Sequence, residues 1–279
     1  MIAADASPGL VVQDVHAGYG GGDVLKGISF TVADGGLTCM VGPNGAGKST
    51  VLAVISGVLR PRSGDISFAG QRLTGRATHE ALRLGVCHVP QRRSLFPLMT
   101  VRENVELGGV TLRDRRLVRT RREALEERFP LLRQRAHERV NGLSGGQQRL
   151  VEIARGLMLQ PKLMILDEPT IGLEPRLARE VYHTIRDLHT AGMTILLVEQ
   201  NVRIGLGMAT HGVVLESGRI RLEGSGQSIL ANPEISGLFL GGHAGSSNVP
   251  SGPSAAPLSG GRGAQADSDS SVADPRKGS

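Results

Sequence analysis

Hydrophobic and polar positions alternate early in the chain and then give way to solid apolar runs. From Leu10 onward the pattern is strand-like, and Ile28, Phe30 and Val32 alternate with polar neighbours, as in a half-buried antiparallel strand. Leu37–Val41 is a near-continuous apolar run that feeds a glycine-rich loop, after which Thr50–Leu59 has the composition of a helix. Residues 95–140 are charged and helix-rich, with Pro97 and Pro130 as breaks. Gln148–Leu159 reads as a helix that Pro161 closes off. Two short apolar runs, Leu163–Leu166 and Thr194–Val198, flank a helical stretch at Arg176–His189, which predicts parallel strands buried on both faces. Val213–Glu216 and Arg219–Leu222 predict a hairpin turning at Ser217-Gly218. The whole predicts an α/β fold over residues 10–242, preceded by a short lead-in over residues 1–9.

Composition changes at residue 243. Of the 37 residues 243–279, 25 are Ser, Gly, Ala or Pro, too few apolar groups for a core, so a disordered tail is expected. The 279 residues are 39 % hydrophobic but only 3 % aromatic, with no Trp, so aliphatic side chains must build the core. No run approaches the roughly 18 apolar residues of a membrane span, and the first residues lack the pattern of a signal peptide. The chain is expected inside the cell, with any membrane role borrowed from a partner. Cys39 and Cys87 lie in apolar runs and are expected as buried, reduced thiols. The net charge of +6 has a local source: residues 111–139 hold ten Arg against five acids. Without interleaved aromatics, that stretch is expected to be a solvated helical face rather than a nucleic-acid surface. The histidines show no metal-like spacing.

Three motifs carry chemistry. The segment Gly42-Pro43-Asn44-Gly45-Ala46-Gly47-Lys48-Ser49, followed by Thr50, is a phosphate-binding loop in the required context between strand and helix. Its glycines let backbone approach phosphate, Lys48 reaches the terminal phosphates, and the Ser49 hydroxyl suits Mg²⁺. The apolar run ending in Asp167-Glu168 delivers two carboxylates to a strand's C-terminal edge, where ligands bind in open α/β sheets. Asp167 is the expected Mg²⁺ partner and Glu168 the group that polarises the attacking water. The third motif is Leu143-Ser144-Gly145-Gly146-Gln147, whose Ser144 opens a helix.

In this order the three motifs resemble the ATP-binding cassette (ABC) ATPase family, over roughly residues 10–242. The resemblance implies a P-loop NTPase core with an antiparallel β subdomain and a helical subdomain at about 95–150. It implies that Tyr19 stacks on adenine and that Gln91 meets Mg²⁺ and links to the helical subdomain. Ser144, Gly145, Gly146 and Gln147 would complete the site of a second, head-to-tail subunit, so that two ATPs are sandwiched in a dimer. At Glu199-Gln200-Asn201 the family usually has a His against the γ-phosphate where this chain has Gln200, a group that donates a hydrogen bond but carries no charge. Glu174 stands where Asp is common. Both departures, together with Ser94–Asn104 and the segments Asn232–Ile235 and Leu238–Gly242, resemble the paired ATPase subunits of branched-chain amino acid importers. The expected partners are a sister ATPase, as a heterodimer with a homodimer as the alternative, two transmembrane permease subunits and, indirectly, an extracytoplasmic solute-binding protein. The expected place is the cytoplasmic face of the cell membrane. A lipid or lipopolysaccharide exporter and a non-transport ATPase acting on nucleic acid are the alternatives.

Overall fold

The computed structural model describes residues 8–235. The expected tail at 243–279, the Leu238–Gly242 segment and most of the expected lead-in lie outside these residues. Pro8 and Gly9, assigned to the lead-in from sequence, already belong to a strand, β1 (Pro8–Ala17). It pairs antiparallel with β2 (Leu25–Ala33) and with β4 (Ser63–Phe68), and β5 (Gln71–Arg72) completes a four-stranded sheet. Ile28, Phe30 and Val32 are buried along β2, as their alternation requires.

The second sheet has six strands in the order β10-β9-β3-β8-β7-β6. Its centre is β3 (Leu37–Val41), β8 (Thr194–Glu199) and β7 (Leu163–Asp167), and every residue of these three strands is buried. They run parallel to each other, to β6 (Val86–Val89) and to β9 (His211–Glu216), while β10 (Arg219–Gly224) is antiparallel. Successive residues of the central strands face opposite sides and so feed two cores. Leu37, Cys39, Val41, Ile195 and Leu197 join the core under the helices. Met40, Leu196, Val198, Val213 and Leu215 join the core shared with the four-stranded sheet and α1 (Lys48–Ile55). Helix α1 begins two residues before the predicted Thr50 and ends four before Leu59, because the Ser56 hydroxyl donates to the Leu52 carbonyl and the chain leaves the helix at Gly57.

A short helix, α2 (Thr78–Arg83), precedes β6. The predicted helix-rich region contains α3 (Val101–Leu107), α4 (Arg115–Arg128) and α5 (Pro130–Gln134). The next helix, α6, spans Gly145–Leu157, starting three residues before the predicted Gln148 because Ser144 and Gln147 form a reciprocal cap. The arginine-rich stretch is only partly a solvated face. Arg122 is buried and ion-paired with Glu106 and Glu126, and Arg121 donates to the Met158 carbonyl. Cys39 and Cys87 are buried and unbridged. After α7 (Pro175–Thr190) and β8 come α8 (Val202–Met208), the hairpin and α9 (Gly226–Leu230).

The hairpin turns at Ser217 (φ 50) and Gly218 (φ 79), the two left-handed positions of a type I′ turn. This turn braces the phosphate-binding loop: the Gly218 N–H donates to the Ala46 carbonyl at 2.9 Å, and its carbonyl accepts from Lys26 at 2.9 Å. A Cβ on Gly218 would stand 1.9 Å from the Val24 carbonyl oxygen, whereas one on Gly70, with φ 75, would meet nothing within 4 Å. Gly218→Ala is therefore expected to cost about 2–4 kcal/mol, a melting-temperature drop of roughly 5–10 °C by thermal denaturation. Gly70→Ala, strained but unobstructed, should cost only about 1 kcal/mol. Equal losses would show that backbone conformation, not the Val24 contact, sets the effect.

Candidate functional site

The phosphate-binding loop spans the gap between β3 and α1. Gly47, at φ 109, is the residue that turns the chain into the helix. The first N–H groups of α1 have no intrahelical acceptors and point out of its tip, a ready anion site. An open cavity of about 520 Å³ lies there. It is lined by Asn44, Gly45, Gly47, Lys48, Ser49 and Thr50 from the loop and helix, by Gln91, Glu168 and Gln200 from three other strand ends, and by Val24 and Ile171. The Lys48 ammonium is buried, donates to the carbonyls of Gly42 (2.8 Å) and Pro43 (3.2 Å), and lies 3.8 Å from Glu168 Oε1.

Asp167 and Glu168 are both buried at the end of β7. Glu168 leaves the strand with φ 41, held by its N–H donating to the Val198 carbonyl at 2.9 Å. Burial, and then the neighbouring Glu168 charge, push the Asp167 carboxyl up to about 6, against the pull of Lys48 and Arg149. Gln91 bridges the pair: its side-chain amide donates to Glu168 Oε2 at 2.7 Å, and its backbone N–H donates to Asp167. Oxygen donors from Ser49, Gln91 and Asp167 are the hard ligands that suit Mg²⁺ shared with phosphate. Among the described residues no cluster of three His, Cys, Asp or Glu side chains competes with that arrangement.

The structure also shows contributors that the sequence motifs do not reveal. Arg149, buried in α6, donates to the carbonyls of Pro90 (2.8 Å) and Gln91 (2.9 Å) and pairs with Glu152 at 2.8 Å. It ties the Gln91 loop to the helix that starts at Ser144. Its sequence signal is an Arg and a Glu three residues apart, Arg149 and Glu152, on the buried face of a helix. Tyr19 is exposed in the loop after β1 and does not line the cavity. Its loop is fixed by Arg62, which pairs with Asp23 at 2.9 Å and donates to the Gly20 carbonyl. Ser144, Gly145, Gly146 and Gln147 stand outside the cavity altogether. Gly145 and Gly146 pack against Leu173 and Leu177, in the segment that follows the acid pair.

The family model described as ABC transporter matches residues 25–171. The chain belongs to the ABC transporter family. This ABC ATPase is 37 % identical over 233 residues to the high-affinity branched-chain amino acid transport ATP-binding protein BraG of Pseudomonas aeruginosa, covering 84 % of its own length and 100 % of that protein. It is 34 % identical to the lipopolysaccharide export ATP-binding protein LptB of Acidithiobacillus ferridurans, covering 83 % and 96 % of the two chains. Among solved structures it superposes on a nucleotide-free ATP-binding cassette of an ABC transporter with a TM-score of 0.76 and 29 % identity, covering 84 % of this chain and all of that one. A dimeric bacterial ABC transporter cassette matches with a TM-score of 0.68 and 25 % identity, over 77 % and 98 % of the two chains. Nucleotide binding and ATP hydrolysis are the activities of this family.

The buried acid pair makes a prediction about the nucleotide-free ABC ATPase. The ordinary value for Asp167 is 3.8, so between about pH 4 and pH 6 the folded state holds a proton that the unfolded chain has lost. Stability therefore falls as pH rises through that window, and above it the ionised Asp167 is a net cost. Asp167→Asn is expected to raise the melting temperature at pH 8 by roughly 4–8 °C, for about 2 kcal/mol, with the gain vanishing near pH 4. An equal gain at both pH values would assign the effect to packing rather than charge.

Proposed function

We propose that this ATPase works as one of a pair of cassettes and powers the import of branched-chain amino acids, or a related small polar solute, through two separate membrane subunits. It sits peripherally on the cytoplasmic face of the membrane and serves a solute-binding protein only indirectly. The observation that carries the pairing is geometric: the phosphate-binding loop, Glu168 and Gln200 share one cavity, while residues 144–147 stand outside it. A serine-glycine helix tip that faces away from its own nucleotide suits a second subunit's nucleotide. The branched-chain assignment is supported by the resemblance to BraG and to two archaeal proteins named as probable branched-chain amino acid transport ATP-binding proteins, at 32 % identity.

Within the pair, the N–H groups of residues 42–50 and the Lys48 ammonium hold the phosphates, and Tyr19 stacks on the base. Ser49, Gln91 and Asp167 hold Mg²⁺, which when bound offsets charge on the terminal phosphates. Glu168 takes the proton of the attacking water, and Gln200 donates a hydrogen bond to the γ-phosphate. Ser144, Gly145, Gly146 and Gln147 close on the partner's nucleotide. The missing positive charge at Gln200 favours a heterodimer, in which a sister subunit supplies a stronger site. Lipopolysaccharide export is the second reading, favoured by the resemblance to LptB. A nucleic-acid role loses ground because Arg119, Arg122 and Arg135 are engaged with acids of their own helical region.

Glu168→Gln is expected to bind ATP as the parent does, to lose at least about 100-fold in hydrolysis, and to accumulate an ATP-bound dimer in gel filtration. In cells it should abolish uptake of labelled leucine. Hydrolysis at the parental rate would remove Glu168 from its role, and leucine uptake that persists without this subunit would remove the solute assignment. Gln200→His should raise the turnover of the isolated chain by roughly 3–10-fold in a phosphate-release assay. No increase would show that the amide already suffices.

A further inference from the structure

We propose that Glu199 is a positioning residue for ATP hydrolysis: its buried carboxylate locks the loop that carries Glu168 to the strand end that carries Gln200. The inference rests on the roles just assigned to those two residues. Glu199 ends β8 and is 2 % exposed, next to Val198, which is fully buried. A carboxylate at such a place is costly unless hydrogen bonds and charges compensate it. Among the described residues Glu199 forms no ion pair, so hydrogen bonds alone hold it. Burial accordingly raises its proton affinity, against the donors that surround it.

Those donors come from both sides of the catalytic cavity. The Thr170 hydroxyl donates to Glu199 Oε1 at 3.0 Å. The Tyr182 hydroxyl lies 2.8 Å from Thr170 Oγ1 and is a further donor to the Glu199 carboxylate. The backbone N–H of Gln200 donates to Oε2 at 3.2 Å, and that of Asn201 also reaches the carboxylate. Thr170 is two residues beyond Glu168, whose own N–H is bound to the β8 backbone at Val198. The Glu168 turn is thus held to β8 at both ends, once by backbone and once by the Glu199 side chain. A second cavity, of about 700 Å³, adjoins the phosphate cavity and shares Glu168, Ile171 and Gln200 with it; Thr170, Tyr182 and Glu199 form part of its wall. The network therefore stands directly behind the two groups that face the γ-phosphate. It fixes their separation, and an error of about 1 Å in such a placement is enough to cost roughly 100-fold in rate.

The test uses the full chain and measures kcat, affinity for a non-hydrolysable ATP analogue and melting temperature together. Thr170→Val and Glu199→Gln are expected to lower kcat about 10–100-fold while changing analogue affinity less than about threefold. Thr170→Ser, which keeps the hydroxyl, should restore kcat to within about twofold of the parent. Parental kcat in Thr170→Val overturns the proposal, as does equal impairment of the Val and Ser variants, or a parallel fall of kcat and affinity. If Glu199→Gln does not fold, the two Thr170 variants decide alone. Glu168→Gln measured alongside separates the two levels: its failure to arrest hydrolysis sinks the parent assignment, whereas arrest there with full activity in Thr170→Val sinks only the role of Glu199.

Discussion

The parallel pairing of β8 with β3 on one side and β7 on the other fixes where the loop after β3, Glu168 and Gln200 stand around the phosphate cavity. Val41 is in register with Glu199, and Asp167 with Val198. The residues that follow each strand end, Gly42, Gln200 and Glu168, therefore emerge side by side at one edge. The register is itself set by burial on both faces, since a slip of one residue would exchange the two cores and send every side chain to the wrong one. Chemistry at the edge is in this sense a by-product of hydrophobic packing along the strands.

That edge also concentrates charge that folding would rather avoid. Asp167, Glu168 and Glu199 are all buried within a few residues of the cavity, and Lys48 and Arg149 are buried cations beside the acid pair. The molecule compensates with hydrogen bonds more than with ion pairs. Gln91 serves both members of the acid pair, and Tyr182, Thr170 and two backbone N–H groups serve Glu199. Such an arrangement stores free energy at the site that a triphosphate and its cation can release, because positive charge arriving in the cavity meets carboxylates already stripped of water.

Much of this was legible in the sequence because it is local. The phosphate-binding loop is one contiguous motif, the apolar runs of β3, β7 and β8 need no partner to be seen, and Ser217-Gly218 announces its turn. What stayed hidden depends on residues far apart in the chain. Arg149 meets the Gln91 loop across 58 positions and Thr170 meets Glu199 across 29. No spacing rule links them, and a buried Glu at a strand end looks the same in sequence as an exposed one. The helix ends were misplaced by two to four residues for a related reason: the Ser144–Gln147 cap and the Ser56 hydroxyl bond act through geometry that composition does not express. The arginine-rich stretch held a further surprise, because Arg122 turns inward to meet Glu106 and Glu126 instead of facing water.

The double grip of Arg149 on the Pro90 and Gln91 carbonyls has a mechanical meaning. One guanidinium joins the strand-end loop that touches both carboxylates to the helix whose first residues form the serine-glycine tip. Its planar fork resists twisting, so loop and helix are geared rather than merely adjacent. Under the proposed pairing, a shift of Gln91 would pull through that guanidinium on the helix whose serine-glycine tip serves the second subunit.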